Sequence, residues 1–118
     1  MITRLDPEDS RIIMNRDALK LILSEWLSEG YQEGELSVDP SWYILWRPEE
    51  LDELNKDYEL EEYAPGFVTF GGNGGGELLV VNSTGSVFYM PAIGMEPDAA
   101  IPISSSLSEF KGLMKKCS

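Results

Sequence analysis

A chain of 118 residues, 42% of them apolar, can bury one hydrophobic core without metals or disulfides, and no run approaches the ~20 apolar residues of a membrane span. Its net charge of −12 repels nucleic acid and anionic membranes and favours a basic partner. It has no histidine, which removes the commonest general base, the Ser and Cys triads and most zinc sites.

The charge is unevenly spread. Residues 1–41 hold nine acids against four bases, residues 42–63 hold eight against Arg47 and Lys56, and residues 64–118 hold four against three lysines. The first residues, Met1-Ile2-Thr3-Arg4-Leu5-Asp6, have acids where a signal peptide has its apolar stretch. The lone Cys117 has no partner for an internal disulfide. The expectation is one soluble, cytoplasmic domain spanning residues 1–118.

In chain order, Leu5-Asp6-Pro7-Glu8-Asp9 has the cap, proline and acids of a short helix start. A longer helix follows. Asn15 caps it, Leu19, Ile22, Leu23, Trp26 and Leu27 share one apolar face, and Gly30 ends it in a left-handed conformation. Residues 31–40 read as a loop, because Gly34, Asp39 and Pro40 break any period. Residues 41–47 read as a strand with Trp42, Ile44 and Trp46 on one face and Tyr43 and Leu45 on the other. With both faces apolar, it is either central in a sheet or meets a partner.

Pro48 starts a second helix with Glu49 and Glu50 near its positive end; Leu51 and Leu54 give it a narrow apolar edge to about Asp57. Pro65-Gly66-Phe67-Val68-Thr69-Phe70 then runs into Gly71-Gly72-Asn73-Gly74-Gly75-Gly76, and Glu77-Leu78-Leu79-Val80-Val81 leaves it. A turn at Asn82-Ser83-Thr84-Gly85 returns the chain through Ser86-Val87-Phe88-Tyr89-Met90, so the middle of the molecule is a meander of strands. The glycines invite a phosphate cradle, but the Lys-Ser/Thr pair and following helix of a phosphate loop are absent. The expectation is a turn in which residues 71–76 take positive φ angles and let one backbone pass close to another. Ala100-Ile101-Pro102-Ile103 is a short last strand, at an edge or a bulge because Pro102 cannot donate a ladder bond. Ser106 and Glu109 form a capping box for a terminal helix, with Leu107, Phe110, Leu113 and Met114 as its buried stripe and Lys115 and Lys116 at its negative end. The fold class is α+β, a twisted and mostly antiparallel sheet packed with helices.

Pro65-Gly66-Phe67, Phe70-Gly71, Gly74-Gly75-Gly76-Glu77, the hairpin through Gly85 and a Pro-rich strand before a C-terminal helix resemble the SUKH superfamily. Its founders are the yeast cell-wall regulators Smi and Knr, and its bacterial members look mostly like immunity proteins. The resemblance covers roughly residues 42–114, and Leu51 to Asn55 keeps the family's Leu-x-x-Leu-Asn helix ahead of the Pro-Gly-Phe core. Before Trp42 the family's Leu-Pro-x-x-Tyr helix start and its Asn-Gly-Gly are absent. The resemblance implies a structural role for Pro65, Gly66, Phe67, Gly71, Gly74, Gly75, Gly76 and Glu77, and a protein partner, such as a toxin domain.

For chemistry the chain offers carboxylates. Glu49, Glu50, Asp52, Glu53, Asp57, Glu59, Glu61 and Glu62 can be read as a solvated face, as a partner surface, or as an acid pair of the glycosidase kind. The alternating acids and glycine of a calcium loop are missing. Aromatic residues lie within the same segment, supplying anchor area where carboxylates supply steering. The expected partner-binding residues are Trp42, Tyr43, Trp46, Glu49, Glu50, Asp52, Glu53, Asp57 and Glu61, with no cofactor, no metal and no catalysis. The leading expectation is a toxin-immunity protein that blocks a basic, nuclease-type toxin. The alternatives are a non-toxin interaction module of the Smi/Knr type and a carboxylate enzyme acting on sugars.

Overall fold

The first described residue is already a helix cap. A computed structural model describes residues 15–116; the helix start expected at Leu5-Asp6-Pro7-Glu8-Asp9 and the lone Cys117 lie outside them. Asn15 is extended, and its side-chain oxygen accepts from the Ala18 N–H at 2.9 Å to open α1, Arg16–Ser28. Leu19, Leu23 and Trp26 are buried along one stripe, with Ile22 and Leu27 at its margins. Gly30, at φ +98°, closes the helix as expected: its N–H reaches the Leu27 carbonyl and the Tyr31 N–H reaches that of Trp26.

The stretch 31–40 corrects the expectation of a loop, because it contains a strand, β1, Glu33–Leu36. Glu33 and Glu35 face solvent while Gly34 and Leu36 face inward, a two-residue period that an inward glycine conceals. β1 pairs antiparallel with β2, Trp42–Leu45, through Glu33↔Ile44, Gly34↔Tyr43 and Glu35↔Trp42. A short 3-10 turn, Pro48–Glu50, then leads into α2, Leu51–Asp57, and α3, Leu60–Tyr63. The meander comprises β3, Phe67–Gly72, β4, Glu77–Asn82, and β5, Val87–Pro91. After a 3-10 turn, Pro97–Ala99, β6 runs Ile101–Ser104, and α4 runs Leu107–Lys111.

The terminal helix needs a second correction. It ends at Lys111, and Met114–Lys116 forms β7 on the outer edge of β1, pairing Glu35↔Lys115 and Leu36↔Met114. Leu113 and Met114 continue the helical stripe in sequence, but the free edge of β1 offers backbone partners that a further helical turn would forgo. Lys116 lies 4.9 Å from the Tyr31 ring centroid instead of capping the helix.

The result is α+β, and the described residues form an antiparallel, seven-stranded sheet in the order β6-β5-β4-β3-β2-β1-β7. β6 lies at an edge, where Pro102 costs no ladder bond. β4 is buried on both faces, which explains its unbroken Leu78-Leu79-Val80-Val81 run. Leu79 and Val81 join α1, Phe70 and Phe110 in the larger core; Leu78 and Val80 join Leu60, Ala64, Met90 and Met95 in a smaller one.

β3 carries an extra residue. Its register with β4 slips between Thr69 and Gly71, and the bulge swings Phe70 into the larger core, edge-on to Phe110 at 5.5 Å. The buried Thr69 hydroxyl reaches the carbonyls of Gly71 and Leu79, at 3.1 and 2.9 Å, and so serves the groups that the slip leaves over.

Candidate interaction surface

The acidic segment forms a corner built on four inward anchors. Leu51 of α2, Asn55 one turn on, Leu60 of α3 and Ala64 are all buried. Asn55 is the clamp that fixes the corner to the sheet. Its Nδ2 donates to the carbonyls of Leu51 and Thr69 at 2.8 and 3.0 Å, and its Oδ1 accepts from the Thr69 N–H at 2.9 Å. The Leu-x-x-Leu-Asn pattern is therefore a helix-to-strand tie. Its apolar edge holds Leu51 inside, and its asparagine occupies the Thr69 backbone groups that the sheet leaves open.

Between α2 and α3 the chain turns on Glu59, at φ 58° and ψ 46°. That is the left-handed region, where glycine is usual and an L-residue costs on the order of 1–2 kcal/mol. The turn directs Asp57, Tyr58, Glu59, Glu61, Glu62 and Tyr63 outward, all of them exposed.

Seven of the eight carboxylates of this segment are exposed, and Glu50 is half-buried. Two have basic partners. Glu50 meets Arg47 at 3.0 Å, and Asp52 meets Lys20 at 2.8 Å and Arg16 at 3.4 Å. The hydrogen bond from Arg47 holds Glu50 below its ordinary range, and that from Lys20, helped by Arg16, does the same for Asp52. Among the described residues, Glu49, Glu53, Asp57, Glu59, Glu61 and Glu62 have no basic side chain within ion-pair distance. Asp52, Asp57, Glu59, Glu61 and Glu62, together with Arg16, Asn55 and Lys56, line an open concavity of about 960 Å³. A glycosidase-type acid requires a buried carboxyl with a raised pKa; the segment presents exposed carboxyls and two that are held low. Among the described residues no group of three or more Asp, Glu, Cys or His side chains is placed to hold a metal ion.

The aromatic residues expected beside these acids divide. Tyr43 is fully buried on the inner face of β2, its hydroxyl 3.4 Å from the Lys115 carbonyl, so it belongs to the core and not to a partner surface. The alternation along β2 that buries Tyr43 and Leu45 leaves Trp42 and Ile44 half-buried. Trp46 is half-buried and packs against both cores, its indole 3.3 Å from where a Gly72 side chain would begin. Glu49, Glu50 and Glu53 do not line the concavity; Asp52, Asp57 and Glu61 do. Tyr58 and Tyr63, at 37% and 51% exposure, are the aromatic rings that reach solvent beside the acids.

The glycine-rich stretch is a scaffold. Gly71 and Gly72 lie within β3, and positive φ is confined to Gly66, Gly74 and Gly76 in this part of the chain, which narrows the expectation for residues 71–76. A Cβ on Gly71 would sit 2.5 Å from the Ile44 carbonyl oxygen, so the close backbone passage is there. Asn73 fills the loop from within: its Oδ1 accepts from the N–H groups of Gly75 and Glu77, and its Nδ2 donates to the Glu77 carboxylate at 2.8 Å. The N–H groups of Asn73, Gly75 and Glu77 are taken within the loop itself. Pro65 and Gly66 form the exposed turn into β3, and Phe67 is half-buried, edge-on to Phe88 at 5.3 Å.

Sequence reasoning passed over α3, the clamp role of Asn55 and the loop residue Ile93, which is 93% exposed and faces the corner. The signal for α3 was the spacing of Leu60 and Ala64, one helical turn apart on the buried side. Among the described residues no helix is long and apolar enough to cross a membrane. No known protein-family model matches the chain, and neither does any curated protein.

Proposed function

We propose that this chain is a non-enzymatic immunity protein of the SUKH type that binds a basic toxin domain in the cytoplasm and blocks it through the α2–α3 corner. The observation that carries the reading is the corner itself: Asp57, Glu59, Glu61 and Glu62, which among the described residues have no basic partners, stand beside two exposed tyrosines on a clamped turn. Nucleases bind phosphate and so present cationic clefts, and a fixed array of carboxylates complements such a cleft. The Pro65-Gly66-Phe67 entry and the Leu51-to-Asn55 clamp stand in the order that the resembled family keeps, and the proposal draws its family assignment from that order.

The test is co-expression with the toxin domain encoded by the neighbouring gene. The expected result is rescue of growth and a complex that survives purification. Binding to a non-toxic cellular protein instead would make the chain an interaction module of the Smi/Knr type. Absence of both rescue and binding with every neighbouring gene product would contradict the proposal.

A further inference from the structure

Ile93 stands on the loop after β5, across a notch from Tyr58 and Tyr63 of the corner. The notch holds about 380 Å³, its buried base includes Met95, and Asp57 and Glu59 stand along it. A single exposed isoleucine is ordinary. Three large side chains with apolar faces around one hollow, bordered by carboxylates that have no basic partners among the described residues, form an anchor site with a charged rim.

Charge decides the occupant. A second copy of this chain would bring another −12 against the same acids, and an anionic membrane would be repelled in the same way. A partner segment with an apolar side chain between lysines or arginines satisfies both parts of the site. Its apolar group fills the notch and its cations meet Asp57 and Glu59, where loss of water strengthens the pairing.

We infer that the notch between Tyr58, Tyr63 and Ile93 is the anchor pocket for an apolar side chain flanked by basic residues on a protein partner. This rests on the corner being the docking surface and adds what the partner must carry. Tyr58 and Tyr63 are stiff, amphipathic walls that lose little freedom on binding. Ile93 is the adjustable side, since it sits on a loop while both tyrosines belong to the clamped corner.

The test is selection from a display library of random linear peptides on the intact chain, followed by titration of the enriched peptides against the native protein and Ile93→Ser and Tyr63→Ser variants. At 93% exposure Ile93 contributes nothing to the core, so its variant keeps the fold. The expected result is enrichment of an apolar residue between Lys or Arg, with affinity falling about tenfold or more in each variant. Basic peptides without a fixed apolar residue, bound equally by native and variant proteins, overturn the anchor pocket and leave the acidic docking surface standing. Enrichment with no basic preference overturns both. A native protein that dimerises, and that Ile93→Ser returns to monomer, makes the notch a self-interface and overturns the inference.

Discussion

The glycine loop at residues 73–76 and the acidic corner at residues 57–63 are both tight turns with left-handed backbone, and they use it in opposite ways. In the loop the left-handed positions are Gly74 and Gly76, and Asn73 ties the turn from within by accepting from the Gly75 and Glu77 N–H groups. In the corner the left-handed position is Glu59, and among the described residues the carboxylates around it have no basic partners. Glycine stands where only backbone geometry matters. A charged residue stands at a strained position that glycine would relieve, a departure from local preference that accords with the proposed docking role of the corner.

The comparison is broken most severely by removing what fixes the corner to the sheet. Asn55→Ala leaves the Thr69 N–H and carbonyl buried without partners, and should cost about 3 kcal/mol of unfolding free energy in urea titration. A cost below about 0.5 kcal/mol would mean that the corner does not depend on this clamp.

Within the glycine stretch the effects should separate by position. Gly71→Ala drives a Cβ against the Ile44 carbonyl and should cost about 2 kcal/mol. Gly75→Ala meets only the Asn73 side chain at 3.6 Å, without a positive φ, and should stay within about 0.5 kcal/mol of native. Equal costs at the two sites would remove the distinction between the strand glycines and the loop glycines.

Glu59→Gly sharpens the contrast from the other side. Relief of the left-handed strain, less the added freedom of the unfolded chain, should raise stability by about 0.5–1 kcal/mol, while association with the proposed partner should slow. The smallest expected effect concerns pH. Lys20 and Arg16 depress the Asp52 pKa below its ordinary 3.8, so the pairing stabilises the fold above that value and the gain is lost as pH falls through the lower folded value. Asp52 is well exposed, so solvent screening keeps this increment small. Asp52→Asn should remove it at pH 7 and leave stability near pH 2 as in the native protein.

These positions also show how much was legible beforehand. α1 was fully readable, because its cap, stripe and terminating glycine agree with one another. The meander was readable from its glycine and asparagine turns, and β6 from Pro102. β1 and β7 were not. One hides its inward period behind Gly34, and the other continues a helical pattern that edge pairing overrides. The candidate site was legible as charge and not as shape. The run of acids was plain, but which aromatic rings point outward depends on β2 pleating and on the turn at Glu59. Tyr43 lay on the wrong side of that pleat, and Ile93 comes to the corner from a separate loop, after β5.

The most direct test of the central claim is the association rate with the toxin domain proposed as the partner, measured for the native chain and for a variant combining Asp57→Lys, Glu61→Lys and Glu62→Lys. The account predicts that the variant associates about tenfold or more slowly at ~0.1 M salt, and that the gap narrows toward ~1 M as the screening length falls to ~3 Å. Rates that match at low salt would contradict it, because the corner would then take no part in drawing the partner in.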